Sequence, residues 1–237
     1  MQNYKLLNLI YPEKCVVCHQ ILTEPGGERM CRVCRTAILP VTEPRCKRCS
    51  KPLIDLEAEL CENCRSHEFC VDRGFALYPY NERMQKAIRN LKYRGELAGG
   101  EYFADQMSAG YGAWVRRISP DVLIPVPIHK RRMRFRGFNQ AACLAVRIGQ
   151  RLGVAVDLDY LVRTGNTKPQ KGLGGRARIN NLQKSFSVVG ENAAYRNILL
   201  IDDIYTTGAT LEACGRILRE AGAKRIYFLC LCIGSGD

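Results

Sequence analysis

The chain has 237 residues, with 36 Lys and Arg against 23 Asp and Glu, a formal net charge of +13 and 46% hydrophobic residues. That length supports one sizeable core plus a small accessory module, and no apolar run approaches the ~20 residues of a membrane span. Membrane insertion is therefore not expected, and thirteen cysteines in a chain of this type point to thiol or metal chemistry in a reducing, cytoplasmic compartment rather than to disulfides.

The first ten residues, with Leu6, Leu7, Leu9 and Ile10, predict a short amphipathic helix and lack the n-region and cleavage site of a signal peptide. Next come four Cys-x-x-Cys knuckles: Cys15/Cys18, Cys31/Cys34, Cys46/Cys49 and Cys61/Cys64. Gaps of twelve, eleven and eleven residues separate them. Each knuckle bends the chain so that two thiolates face one point, and two knuckles complete a closed tetrahedral zinc site. Two structural zinc ions are expected, with sequential pairing the simplest scheme and a crossed pairing still open. Eight thiolates and two Zn²⁺ lower the net charge to about +9, and Lys14, Arg32, Arg35, Lys47 and Arg48 lie beside the ligands to offset their charge. These cations are therefore poor indicators of a nucleic-acid surface. The boundary is placed after residue 68, giving a double zinc ribbon over 1–68 and a second domain over 69–237.

From Gly74 the pattern alternates. Gly74–Tyr78, Val122–Ile124, Ile198–Ile201 and Arg225–Ile233 read as strands. Glu82–Tyr93 (Met84, Ile88 and Leu91 on one face), Tyr102–Arg117, Phe138–Leu152 and a segment from Leu211 to Gly222 read as helices. The fold class is α/β, a mostly parallel sheet with helices on both faces.

Two basic segments break this rhythm. The first, Pro125 to Gln140, includes Ile128, His129, Lys130, Arg131, Arg132, Arg134 and Arg136 and follows a strand end, where open α/β sheets bind ligands. Nucleic-acid binding is a second use open to it. The other, Arg163 to Lys184, mixes Gly165, Gly172, Gly174 and Gly175 with Lys168, Gln170, Lys171, Arg176 and Arg178, the composition of a mobile loop followed by a short basic helix.

The most informative run is Ile198 to Thr210. Four aliphatic residues form a buried strand that Asp202 and Asp203 are expected to end, followed by Ile204, Tyr205, Thr206, Thr207, Gly208, Ala209 and Thr210 and then a helix. Backbone N–H groups of Thr206 to Thr210, with the threonine hydroxyls, can hold a phosphate at the positive end of the helix dipole. The two carboxylates can accept hydrogen bonds from sugar hydroxyls. A phosphorylated ribose fits both features.

This run resembles the 5-phosphoribosyl-1-pyrophosphate (PRPP) motif of type I phosphoribosyltransferases, with Tyr205 where that family usually carries a small aliphatic residue. Taken with Leu91 to Gly95, Pro125 to His129, Arg136 to Gln140 and Thr167 to Gln170, the whole chain resembles the ComF family. The resemblance implies a type I phosphoribosyltransferase fold behind a double zinc ribbon. Asp202 and Asp203 are then the catalytic acids at the ribose, and residues 206–210 hold the 5-phosphate. Ile128, His129, Lys130 and Arg131 take the pyrophosphate with Mg²⁺, and Arg163, Lys168, Gln170 and Arg176 belong to a flexible hood. It also implies a cytoplasmic role in DNA uptake or use, with single-stranded DNA and DNA-uptake proteins as partners. Glutamine amidotransfer is not expected, because the first cysteine, Cys15, is a knuckle ligand.

Overall fold

A computed structural model describes residues 12–22, 29–93, 97–165, 184–190 and 195–234. The expected N-terminal helix and the hood residues Lys168, Gln170 and Arg176 lie outside the described residues.

The cysteine-rich segment is built twice on one plan. Cys15 N–H donates to Gln20 O and His19 N–H to Cys15 O; Cys46 N–H donates to Lys51 O and Ser50 N–H to Cys46 O. His19 and Ser50, with φ of 65° and 68°, turn each first knuckle. Each second knuckle opens a one-turn helix, α1 (Arg32–Ala37) or α2 (Glu62–Ser66), with Cys31 or Cys61 as its N-cap.

The remaining elements are β1 (Arg73–Pro79), α3 (Glu82–Tyr93), α4 (Leu97–Ile118), β2 (Val122–Pro125), α5 (Lys130–Arg136), α6 (Gln140–Leu152), β3 (Leu161–Arg163), β4 (Phe186–Val188), β5 (Asn197–Tyr205), α7 (Ala209–Glu220) and β6 (Arg225–Ile233). The main sheet is parallel throughout, in the order β1-β6-β5-β2, and β3 and β4 form a small antiparallel pair. Near-continuous apolar strands such as Ile198–Ile201 and Ile226–Ile233 suit a sheet covered on both faces. One face packs Leu199, Ile201, Leu229 and Leu231 against the first ribbon, α3, α4 and α6. The other packs Ile198, Leu200, Phe228 and Cys230 against the second ribbon, the β3–β4 pair and α7. Each ribbon is thus part of the core on its own side of the sheet.

Several boundaries differ from the sequence pattern. Helix α4 begins at Leu97, because packing of buried Phe103, Ala104 and Met107 extends it through Gly99 and Gly100 despite their low propensity. Lys130–Arg136 is a helix rather than an open loop: His129 caps it and Gly137, at φ 80°, ends it. Arg163 does not start a loop but closes β3, paired with Phe186. The acids do not end the strand at Ile201, since β5 runs to Tyr205 with Asp202 opposite Cys230 and Tyr205 opposite Ile233. What stops there is the neighbour β2, whose last pair is Pro125 with Ile201. Asp202 and Asp203 therefore stand where β5 no longer has β2 beside it.

Candidate active site and metal centres

All strands of the main sheet run the same way, so the segments after Pro79, Pro125 and Tyr205 gather at one edge, the C-terminal one, where ligands of open α/β sheets bind. The segment after β2 is tied down: Val126 N–H donates to Ile201 O at 2.9 Å, and the buried Asn139 amide donates to Val126 O at 3.0 Å. The same Asn139 side chain accepts from Ala141 N–H at 3.1 Å and so caps α6. Asn139 thus clamps the expected pyrophosphate segment to the helix behind it. Ile128 and His129 lie in that segment, and Lys130 and Arg131 in the first turn of α5. His129 Nδ1 accepts from Arg131 N–H at 3.1 Å, which leaves Nε2 as the ring nitrogen able to donate outward. α5 buries none of its own residues.

Asp202 and Asp203 are linked through the Asp203 N–H, which donates to Asp202 Oδ1 at 2.8 Å. Burial, and next the charge of Asp203, push the Asp202 carboxyl well above the usual carboxylate range. Lys92, in the last turn of α3, makes an ion pair with Asp203 and opposes that rise at Asp202. Lys92 lies in the Leu91–Gly95 motif, and the sequence alone gives it no role. The available signal was a cation in the last helical turn just before a glycine, which is common on helices without a ligand.

After Tyr205 the chain turns through exposed Thr206 and Thr207 to Gly208, which enters α7 at φ 79° with no side-chain cap. Thr207 Oγ1 accepts weakly from Ala209 N–H at 3.4 Å, and Thr210 lies in the first helical turn. Uncapped N–H groups at the start of a twelve-residue helix suit a phosphate. Gly208 also has no room for a side chain, since a Cβ there would lie 2.5 Å from Tyr205 Oη. Tyr205 is buried and stacks on Phe228 at 5.1 Å, and Phe228 in turn fills the space over Gly74, where a Cβ would lie 2.3 Å from its ring. Tyr205 is therefore a buttress under the loop.

The eight knuckle cysteines converge as two sets, Cys15/Cys18/Cys31/Cys34 and Cys46/Cys49/Cys61/Cys64, with sulfurs within 4.8 Å of one another in each. This is the sequential pairing. Cys18–Cys31 and Cys49–Cys61 sulfurs are 3.7 Å apart, the edge of a tetrahedron with Zn–S bonds of ~2.3 Å. Four soft thiolates and no open position fit structural zinc. The second set sits beside the turn between β5 and α7: Asn63 Nδ2 donates to Thr207 O at 3.3 Å, and a cleft of about 310 Å³ between them is lined by Lys51, Asn63, Tyr205, Thr206 and Thr207. No described helix is long and apolar enough to cross a membrane.

Comparison with known proteins agrees with this geometry. The double zinc ribbon domain matches residues 6–65, and the phosphoribosyl transferase domain matches residues 139–236. Competence protein ComFC of Bacillus subtilis (strain 168) is 30% identical over 204 residues, covering 82% of this chain and 80% of its own. Competence protein F of Haemophilus influenzae (strain ATCC 51907 / DSM 11121 / KW20 / Rd) is 29% identical, with 90% and 93% covered. The DNA utilization protein YhgH of Escherichia coli (strain K12) is 27% identical, with 94% and 98% covered.

Proposed function

The chain belongs to the ComF family, and from that membership we propose that it is a cytoplasmic PRPP-binding protein acting in the uptake or use of DNA during natural transformation. The observation that carries the reading is the turn from β5 to α7: two carboxylates beside an opened strand flank, then Thr206, Thr207 and an αL Gly208 leading into an uncapped helix. Residues 206–210 hold the 5-phosphate in this reading, Asp202 and Asp203 face the ribose hydroxyls, and Ile128 to Arg131 face the pyrophosphate. The oxygen-only donors of Asp202 and Asp203 suit Mg²⁺, whose chemistry when bound would be to neutralise charge on the pyrophosphate.

The same arrangement favours pentosyl transfer. As pyrophosphate departs, the ribose ring becomes cationic and the leaving group gains negative charge, so carboxylates at the ring and cations at the leaving group both act more strongly in the transition state. Lys92 pairs with Asp203 and so fixes that carboxylate in place. An active phosphoribosyltransferase with its own acceptor is the extension of this reading, and the hood is where the acceptor would be selected.

A second partner is favoured by α5, whose seven residues include Lys130, Arg131, Arg132, Arg134 and Arg136 with Met133 and Phe135 exposed. Cations interleaved with an exposed aromatic ring suit single-stranded DNA, through phosphate contacts and base stacking.

A Mg²⁺-dependent PRPP titration followed by a pyrophosphate-release assay on the same sample tests the reading. Replacing Asp202 and Asp203 together by alanine is expected to abolish PRPP binding and leave two zinc ions per chain. Retained binding would overturn the site.

A further inference from the structure

The three most exposed large hydrophobic side chains among the described residues are Ile54, Leu56 and Phe135, with relative exposures of 102%, 80% and 79%. Single exposed apolar residues are ordinary on a protein surface, but these three fall on two short segments of opposite charge. The first segment is the loop 53–60 of the second ribbon, which carries Asp55, Glu57 and Glu59 and no cation. Leu53 and Leu60 pack against the core beneath it. Leu53 N–H donates to Pro44 O at 2.9 Å and Lys47 N–H to Glu59 O at 2.8 Å, so the loop is rooted at both ends. Glu59 pairs with Lys47, and at the tip the Glu57 N–H donates to Asp55 Oδ1 at 2.9 Å. Ile54 and Leu56 are thus presented to solvent by a loop that already has its shape.

The second segment is α5, where Lys130, Arg131, Arg132, Arg134 and Arg136 flank exposed Met133 and Phe135 with no acid among them. His129 caps one end and Gly137 closes the other, so this surface is shaped in advance as well. Each segment offers what the other lacks, carboxylates beside aliphatic side chains on the loop and guanidiniums beside an aromatic ring on the helix. Apolar contact at the centre and guanidinium–carboxylate pairs at the rim are the usual anatomy of a protein interface. Two surfaces that need no rearrangement also meet at a low ordering cost. Every second copy of the chain brings the complementary surface with it.

We propose that the 53–60 loop of one copy docks on α5 of another, with Ile54 and Leu56 against Phe135 and Met133, and Asp55 and Glu57 facing Arg132 and Arg134. Loop and helix are different surfaces, so the contact is heterologous. The overall positive charge opposes it at low salt. At physiological ionic strength the Debye length is about 8 Å, which screens that repulsion while the close pairs persist. A copy seated on α5 covers the cations offered above to single-stranded DNA, so assembly and that partner compete for one surface. The pairing itself does not depend on what the sugar site binds.

The test is sedimentation velocity of the intact, zinc-loaded protein at about 0.15 M salt, where the mean mass of the parent should rise with concentration. Ile54→Ser with Leu56→Ser, and separately Met133→Ser with Phe135→Ser, should each lower the association constant at least about tenfold. Zinc content and melting temperature should stay at parent values, because all four side chains are exposed. The first variant keeps an intact helix and the second an intact loop, so an equal mixture should form one-to-one pairs and stop there. Arg132→Glu with Arg134→Glu leaves the apolar residues in place; it should also abolish association and carries the test if a serine variant fails to fold. A parent still monomeric at about 100 µM, above the micromolar range of weak interfaces, would overturn the proposal and leave the loop to a different partner. Loss of association in only one of the two serine variants would overturn it too, as would a mixture that stays monomeric while the parent assembles.

Discussion

The two ribbons share a local design but differ in what they lean on. The first leaves Cys18 and Cys31 half-buried and rests on α3, where Asn90 donates to Val17 O at 3.2 Å and Arg83 to Cys34 Sγ at 3.7 Å. The second buries all four cysteines and meets the opposite side of the molecule, through Asn63 on Thr207 and the Gly74 N–H on Arg48 O at 2.8 Å. One ribbon therefore supports the helix that carries Lys92, and the other supports the turn between β5 and α7. A repeated metal motif has become two different supports for one site.

The sharpest way to break this comparison is to remove each metal in turn. Cys49→Ser and Cys18→Ser should each cost one zinc ion per chain, because the ion's binding energy is also folding energy. Cys49→Ser is expected to lower PRPP affinity by more than about tenfold and the melting temperature more than Cys18→Ser does, since its site is fully buried and touches the loop. Equal losses of PRPP affinity would erase the distinction.

Next in size is the buried Glu212 of α7, which accepts from the Cys70 N–H at 2.7 Å and from Arg216 Nε at 3.1 Å. It ties the segment after the second ribbon to the helix that the loop opens. Glu212→Ala should cost about 3 kcal/mol in urea unfolding, because both donors lose their buried acceptor. A smaller pair compares the faces directly. Asn63→Ala removes one hydrogen bond, worth about 1 kcal/mol, and should weaken PRPP about fivefold with little loss of stability. Asn90→Ala should show the reverse, about 1 kcal/mol of stability with PRPP affinity unchanged.

The least effect is expected from Asp105 on α4, which receives Arg147 and Arg151 of α6. Hydrogen bonds from Arg151, then Arg147, hold its carboxyl well below the usual carboxylate range. Its contribution is present above the ordinary carboxylate pKa and lost as pH falls toward the depressed one. Asp105→Asn should therefore flatten the acid limb of the stability profile by less than about 1 kcal/mol, as the groups are partly exposed.

The parts legible in the amino-acid pattern were those where several residue choices agree. Knuckle spacing carried the metal sites, and their convergence in three dimensions settled the pairing that spacing left open. The helix from Glu82 to Tyr93 was legible from Met84, Ile88 and Leu91, all buried. The β3–β4 pair was not, because three-residue strands carry too little alternation to stand out from a polar, glycine-rich neighbourhood. For that reason the sequence pattern places Arg163 in a loop, and the fold places it at the end of β3. Lys92 and Asn139 belong to visible motifs, but the partner of Lys92, Asp203, lies far off in sequence and the Asn139 bond to Val126 O needs the turn of α5 between them, so their roles appear only when the chain is folded. Tyr205, where the resembled motif usually has a small aliphatic residue, stacks on Phe228 beneath Gly208 and underpins the turn.

The pairing of β1 with β6 has a consequence for how the chain comes to be assembled. Among the described residues, the strand that follows the ribbons has β6 alone as its neighbour in the sheet. During synthesis from the N-terminus, β1 can bond the ribbon segment, through Gly74 N–H on Arg48 O and Val41 N–H on Leu77 O, but has no strand beside it until residues up to Ile233 have emerged, a closure of long sequence separation. Through that interval the ribbons lack the completed sheet, and their metal–thiolate bonds carry more of their stability. Zinc supply then governs the yield of folded chains at an earlier stage than it governs the finished protein.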